Sequence, residues 1–208
     1  MTLSLSDLAK TTQDVYERNA ERFDAERSKT LFERNWLDRF LSLIPEKGYI
    51  LDLGCGTGDP IARYILSKGY ILTGIDASAA MLRLAEKRFP AGDWRQMDMR
   101  SLDLQERFHG IIGWDSFFHL SREEQRLVLP KLAAHLQSGG ALLLTVGPTD
   151  GEVAGHVGDD AVYHASLSVE EYISILASGG LKVVDFRPED PDCGQRTVLL
   201  AQKQASSI

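Results

Sequence analysis

The sequence predicts an α/β fold: a mostly parallel sheet with helices on both faces, preceded by a helical segment. Three observations support it. Between residues 49 and 146, short apolar runs alternate with stretches of helical periodicity, the pattern of parallel strands joined by right-handed crossovers. The last two apolar runs, 181–187 and 197–203, have no helix between them and so read as a hairpin, with one strand antiparallel to the rest. Before the first strand, residues 6–44 carry apolar side chains at helical spacing.

In that first segment the spaced apolar residues are Leu8, Val15, Phe23, Leu31, Trp36, Phe40 and Leu43, with Ser6 and Asp7 as caps, a break at Arg27-Ser28 and a stop at Pro45. Residues 49–53 form a buried strand that ends in glycines. A helix over 60–68 has Pro60 in its first turn. Strand 70–75 follows, then a helix over 78–89 capped by Ser78 and stopped by Pro90. Strands 94–97 and 108–115 come next. The helix over 121–136 opens with a capping box, Ser121 with Glu124. Strand 140–146 leads into a glycine-rich stretch, 147–163, expected as a loop over one end of the sheet. A second capping box, Ser168 with Glu171, opens a helix over 168–178. No repeat or linker interrupts this order. Residues 1–208 therefore read as one domain, with N-terminal helices over 1–45 and an α/β core over 46–208.

The formal charge is −7, which opposes a nucleic-acid partner, since phosphate binding wants a basic face. The basic residues Arg18, Arg22, Arg27, Lys29 and Arg34 are interleaved with Glu17, Glu21, Asp24, Glu26 and Glu33, which reads as a solvated helix face. Cys55 and Cys193 form neither a disulfide framework nor a zinc pattern. No apolar run is long enough to span a membrane. Residues 1–7 lack a basic stretch followed by an apolar one, so the expected compartment is the cytoplasm, with no membrane partner.

Four strand ends carry chemistry. Leu51-Asp52-Leu53-Gly54-Cys55-Gly56-Thr57-Gly58 places alternate glycines where open α/β sheets bind ligands. Its Gly-x-Gly-x-Gly spacing differs from the dinucleotide fingerprint, and Asp52 suits a ligand with an ammonium group better than a pyrophosphate. Asp76 closes the second strand, where a carboxylate can accept from two ribose hydroxyls, or cap the next helix. Asp98 follows the third strand, where it can accept from an exocyclic amino group or serve a turn, with Met99 beside a purine. Gly113-Trp114-Asp115-Ser116-Phe117-Phe118-His119-Leu120 opens the fourth strand into a polar, aromatic loop.

This ordered set resembles the class I S-adenosylmethionine (SAM)-dependent methyltransferases, in particular their small-molecule branch (ubiquinone-biosynthesis-like, methyltransferase types 11, 12 and 25). The resemblance runs from roughly Tyr16 to Lys203. It implies a Rossmann-like three-layer sandwich with a seven-stranded mixed sheet, the last strand antiparallel, and N-terminal lid helices. It implies SAM as cofactor, S-adenosylhomocysteine as product and no metal. Residue by residue, it implies that Asp52, Gly54 and Gly56 line the methionine and ribose side, with Cys55 and Gly58 in the same cofactor loop; by its residue type, the Cys55 thiol reads as a small packed group, the alternative being a reactive thiol. Asp76 would bind ribose, with Ala77 and Met81 beside the adenine, which Asp98 and Met99 would hold. Trp114 would lie near the sulfonium or the adenine, or belong to the core. Tyr16-Glu17-Arg18-Asn19-Ala20-Glu21-Arg22-Phe23 resembles the family's lid segment, whose tyrosine approaches the carboxylate end of the cofactor, or packs on the surface.

Methyl transfer from an activated donor asks the protein to position a nucleophile and exclude water. His119 is the first expected base, or else caps the following helix; Asp115 is the alternative base, or a cofactor or cap residue. His156, Tyr163 and His164, in the stretch expected as a loop, would border the acceptor pocket or supply ordinary loop polarity. The expected function is methylation of a small molecule by a monomer or homodimer. The alternatives are a methyltransferase acting on nucleic acid or protein, and a SAM-binding regulatory module without turnover. The motif after strand four, Trp114-Asp115-Ser116-Phe117, departs from the Asn/Asp-Pro-Pro-Tyr type that would favour nucleic acid.

Overall fold

A computed structural model describes residues 4–205; residues 1–3, which open the N-terminal stretch read above for a leader, and 206–208 lie outside the described residues. Two helices come first, α1 (Leu5–Glu26) and α2 (Arg34–Ser42). Then follow β1 (Tyr49–Leu53), α3 (Ile61–Ser67), β2 (Ile71–Asp76), α4 (Ala79–Arg88), β3 (Asp93–Gln96) and β4 (Phe108–Gly113). The chain continues through α5 (Arg122–His135), β5 (Leu136–Val146), β6 (Gly151–Val157), β7 (Asp160–Ser166), α6 (Val169–Ser178), β8 (Leu181–Asp190) and β9 (Arg196–Lys203).

Seven strands form one sheet in the order β3-β2-β1-β4-β5-β9-β8. The pairs among β1 to β5 are parallel, while β9 is antiparallel to both of its neighbours. The expected Rossmann-like sheet, with its last strand antiparallel, is therefore present. Both faces are covered. Leu51, Leu53, Leu142 and Leu199 pack with Leu129, Leu132, Tyr172 and Leu176 of α5 and α6. Ile50, Leu72, Leu143 and Leu200 pack with Leu37, Phe40 and Ile65 of α2 and α3. A strand covered on both faces needs apolar residues at successive positions, as at Ile50-Leu51 of β1 and Ala141-Leu142-Leu143-Leu144 of β5. Burying each such side chain is worth about 1.5–3 kcal/mol.

The clearest departure from expectation is the stretch 147–163. It is a hairpin, not a loop: β6 pairs antiparallel with β7 from Gly151↔Ser166 to Val157↔Asp160, around the two-residue turn Gly158-Asp159. Its strand signal is weak because β6 is largely exposed and carries glycines, while its buried contacts are made by β7 with α1. Smaller corrections concern caps and ends. Ser4, not Ser6 or Asp7, caps α1, and Asp7 is its reciprocal partner in the capping box. Ser168 caps α6, but Glu171 turns away to Arg126 (2.6 Å), so no reciprocal box forms. Strand β4 stops at Gly113 because Asp115 has φ +52. Strand β5 begins at Leu136, where pairing with Phe108 continues across an irregularity.

Candidate active site

The loops after β1, β2, β3 and β4 meet at one end of the sheet and line a narrow cavity of about 170 Å³, with α1 across its mouth. All twelve residues expected at a cofactor line it: Tyr16, Asp52, Gly54, Cys55, Gly56, Gly58, Asp76, Ala77, Met81, Asp98, Met99 and Trp114. Gly54 has φ +64, and a Cβ there would lie 2.5 Å from the Cβ of Ser116. The loop after β4 thus packs directly on the glycine loop, fastened by Ser116 Oγ donating to the Leu53 carbonyl (2.5 Å).

Two carboxylates stand behind this loop. Asp76 accepts from the backbone N–H groups of Gly56 and Ser78, both at 2.8 Å, so it orders the glycine loop and the start of α4 together. Asp52 is buried at the cavity wall, and no hydrogen bond from the described residues reaches its carboxylate. Burial, and next the neighbouring Asp76, pushes Asp52 up to about 7, with Arg27 opposing. Burial pushes Asp76 up to about 6 against its backbone hydrogen bonds. Such a pair favours a cationic ligand, which would restore charge to both. Burial and these two carboxylates also raise the Cys55 thiol well above its ordinary range, so it is no thiolate nucleophile. Asp98 is occupied by Arg100, which chelates it and also reaches Glu124 (3.0 Å). The Nε1 of Trp114 is buried and lacks a partner among the described residues.

His119 neither caps α5, a role taken by Ser121, nor has a free nitrogen. The carbonyl of Tyr163 can only accept, so His119 Nδ1–H donates to it (2.9 Å) and Nε2 accepts the Tyr16 hydroxyl (2.8 Å). Burial holds this imidazole down at about 4, hence neutral. The ring is a link between the lid tyrosine and the hairpin. Asp115, the other expected base, is gripped by Arg196 through both oxygens (3.2 and 3.0 Å) and by Arg27 (3.1 Å), so its lone pairs are committed. Tyr163 is buried among Leu8 and Ala165, with its hydroxyl on Glu152, and does not line an acceptor space.

A second, roomier cavity of about 1030 Å³ adjoins the first, sharing Tyr16, Phe23, Arg27 and Asp115 with it. Phe118, His156 and His164 lie on its wall, along with Thr145 and Thr197.

Several site residues hid in the charged N-terminal stretch. Glu17 accepts from Ser78 Oγ (2.6 Å) and the Ala80 N–H (3.0 Å) at the start of α4. Asp24 takes Thr57 Oγ1 and Arg88 Nη2, both at 2.7 Å. Arg27 bridges Asp115 and the fully buried Glu33 (2.7 Å). The solvated-face reading therefore fails for these four residues. Nothing local marks them, because their partners lie far along the chain. Among the described residues, no group of three or more His, Cys, Asp and Glu side chains could hold a metal ion, and no helix is long and apolar enough to cross a membrane.

A family model described as a methyltransferase domain matches residues 50–140. A demethylmenaquinone methyltransferase from Thermotoga maritima is 33% identical over 144 residues, covering 65% of this chain and 61% of the relative. A dTDP-3-amino-3,4,6-trideoxy-alpha-D-glucopyranose N,N-dimethyltransferase from Streptomyces venezuelae is 31% identical over 109 residues, covering 51% of this chain and 46% of the relative. The SAM-bound structure of CalS10, an amino pentose methyltransferase from Micromonospora echinaspora, shares the fold with a TM-score of 0.70 at 19% identity, over 90% of this chain and 96% of that one. The chain spans roughly a third to three fifths of the length of the first curated relatives it matches.

Proposed function

We propose that the chain is a class I SAM-dependent methyltransferase, as its matches support, and that it transfers a methyl group from SAM to a small-molecule acceptor by in-line displacement, releasing S-adenosylhomocysteine. One observation carries this reading: Asp52 and Asp76, both with raised pKa values, flank the glycine loop at the cavity wall, and the one cation that acts on Asp52, Arg27, is committed to Glu33 and Asp115. The ammonium and sulfonium groups of SAM match that need. Gly56 leaves open space at the loop, and the orphaned Trp114 N–H adds a donor at the cavity wall.

When bound, SAM supplies an already activated methyl group. The chain's own residues then bind, orient and exclude water. Asp52 and the backbone of Gly54, Cys55, Gly56 and Gly58 hold the amino-acid and ribose side. Asp76 takes the ribose hydroxyls while keeping its grip on Gly56. Ala77, Met81, Asp98 and Met99 hold the base, with Asp98 oriented by Arg100. Tyr16, held by His119, closes the mouth with the rest of α1. The second cavity takes the acceptor, with His156 and His164 on its wall. An amino sugar, as in the name of the Streptomyces venezuelae relative, is the acceptor class we favour. One domain of core plus lid, working in the cytoplasm as a monomer or homodimer without nucleic acid, completes the proposal; the charge of −7 supports the last point.

Calorimetric titration with SAM, with S-adenosylhomocysteine and with NAD tests the donor site. Micromolar binding of the first two and none of NAD is expected; the reverse pattern, or no binding, rejects the reading. Transfer of labelled methyl to dTDP-3-amino-3,4,6-trideoxy-alpha-D-glucopyranose then tests the acceptor class.

A further inference from the structure

Three candidate proton acceptors around the two cavities are accounted for. His119 is bonded through both nitrogens. Asp115 is gripped by two guanidinium groups. His156 is exposed at the outer strand of the hairpin. His164 is different. Its ring is wedged edge-on against Phe118 (4.6 Å between centroids) and lies 5.0 Å from the ring of His119. On its other side it lies across Gly155, where a Cβ would come within 2.2 Å of Cε1. The ring is therefore placed by shape. Its two nitrogens have no hydrogen-bond partner among the described residues, and the ring lines the second cavity.

Resting on the reading of that cavity as the acceptor site, we propose that His164 takes the proton from the acceptor. An amine arrives largely as its ammonium form. It gives one proton to His164, and the freed lone pair forms the bond to the methyl carbon. The carbon–sulfur bond breaks with its electron pair going to sulfur, and the imidazolium of His164 returns its proton to water in the open cavity. Burial lowers the His164 pKa, with His156 adding to the effect and Asp115 opposing it. A neutral imidazole at pH 7 is the form this role needs. The neighbouring His119 is itself neutral, and Arg27 and Arg196 are turned to Asp115.

Two measurements test the proposal, after calorimetry has shown that S-adenosylhomocysteine binds; absence of that binding would reject the donor reading instead. The first needs no acceptor. The protein loaded with S-adenosylhomocysteine is treated with diethyl pyrocarbonate and its peptides are read by mass spectrometry. His164 should be modified at least about tenfold faster than His119, since only unbonded imidazole nitrogen reacts readily. Equal rates, or His119 reacting first, overturn the assignment. In the second, His164→Ala should lower kcat for the dTDP-amino sugar about 100-fold, leave SAM affinity within about twofold, and regain activity with added imidazole. Wild-type kcat in this variant rejects the role. So does a loss that imidazole does not restore in a variant that still binds SAM. Gly155→Ala, which pushes the ring aside without removing it, should lower kcat as well.

Discussion

The floor of the donor cavity comes from loops at strand ends, while its roof comes from α1 and the hairpin, and the two are held by different forces. The floor is anchored by the sheet and by backbone groups: Asp76 on the N–H groups of Gly56 and Ser78, Ser116 on the Leu53 carbonyl. The roof is anchored by polar side chains, among them Glu17 on α4, Asp24 on Arg88 and Thr57, Tyr16 on His119, and Arg27 on Asp115, while Asn19 and Arg18 on Asp160 tie its two parts together. A floor so built is preorganised, whereas a roof of discrete polar contacts can open one contact at a time.

The sharpest way to break this division is to cut the residue that joins its two halves. Arg27→Met leaves Glu33 buried without its cation, and removing one partner of a buried pair costs about 3–5 kcal/mol; urea unfolding should show a loss of this size. A smaller loss would mean that Glu33 simply takes up a proton, as its burial already favours. Next in size is Gly54→Ala in the floor. Left-handed strain of roughly 1–2 kcal/mol adds to a clash with Ser116, and SAM binding should fall together with stability. Asp76→Ala should weaken SAM binding about 100-fold, near 2.7 kcal/mol, as read by calorimetry; unchanged affinity would reject the ribose assignment. In the roof, Glu17→Gln should speed release of S-adenosylhomocysteine about tenfold, or 1.4 kcal/mol, in stopped-flow measurements, with little change in melting temperature.

The two halves should also titrate in opposite directions. Burial raises Asp52 and Asp76 above the ordinary value of about 3.9, to about 7 and about 6. The folded protein then holds more protons than the unfolded chain, so stability from this source is lost as pH rises from about 4 to 7. Binding of a cationic ligand should release protons over that window, which buffer-dependent calorimetry would register. Arg88, Thr57 and Lys29 overcome burial and lower Asp24 in the roof. Its contribution is present above pH 4 and is lost as pH falls further. Amide exchange in α1 should therefore accelerate on acidification before exchange in β1 does.

The same division explains what could be read in the sequence. Each floor residue sits at or near the end of a short apolar run, so a local motif names both the strand and the residues that reach the cavity: Asp52 to Gly58, Asp76, Asp98 and Trp114 are all legible in this way. The roof was not. Glu17, Asp24 and Arg27 look like any amphipathic helix surface until their partners, Ser78, Arg88 and Asp115, are brought alongside. His119 stood where a base was expected, yet its bonds to Tyr16 and Tyr163 depend on two elements far away in sequence. The hairpin was missed because its glycines suggested a loop, although Gly155 is there to make room for His164.

The position of β9 has a consequence for how the chain is made. Residues 196–203 fill the gap between β5 and β8, and they leave the ribosome after both partners. Until then β5 and β8 each present an open backbone edge, an invitation to pair with the wrong chain. Premature termination near residue 195 would leave most of the donor floor encoded but the sheet split, and such a nascent product should become a client of chaperones rather than a slightly shorter enzyme.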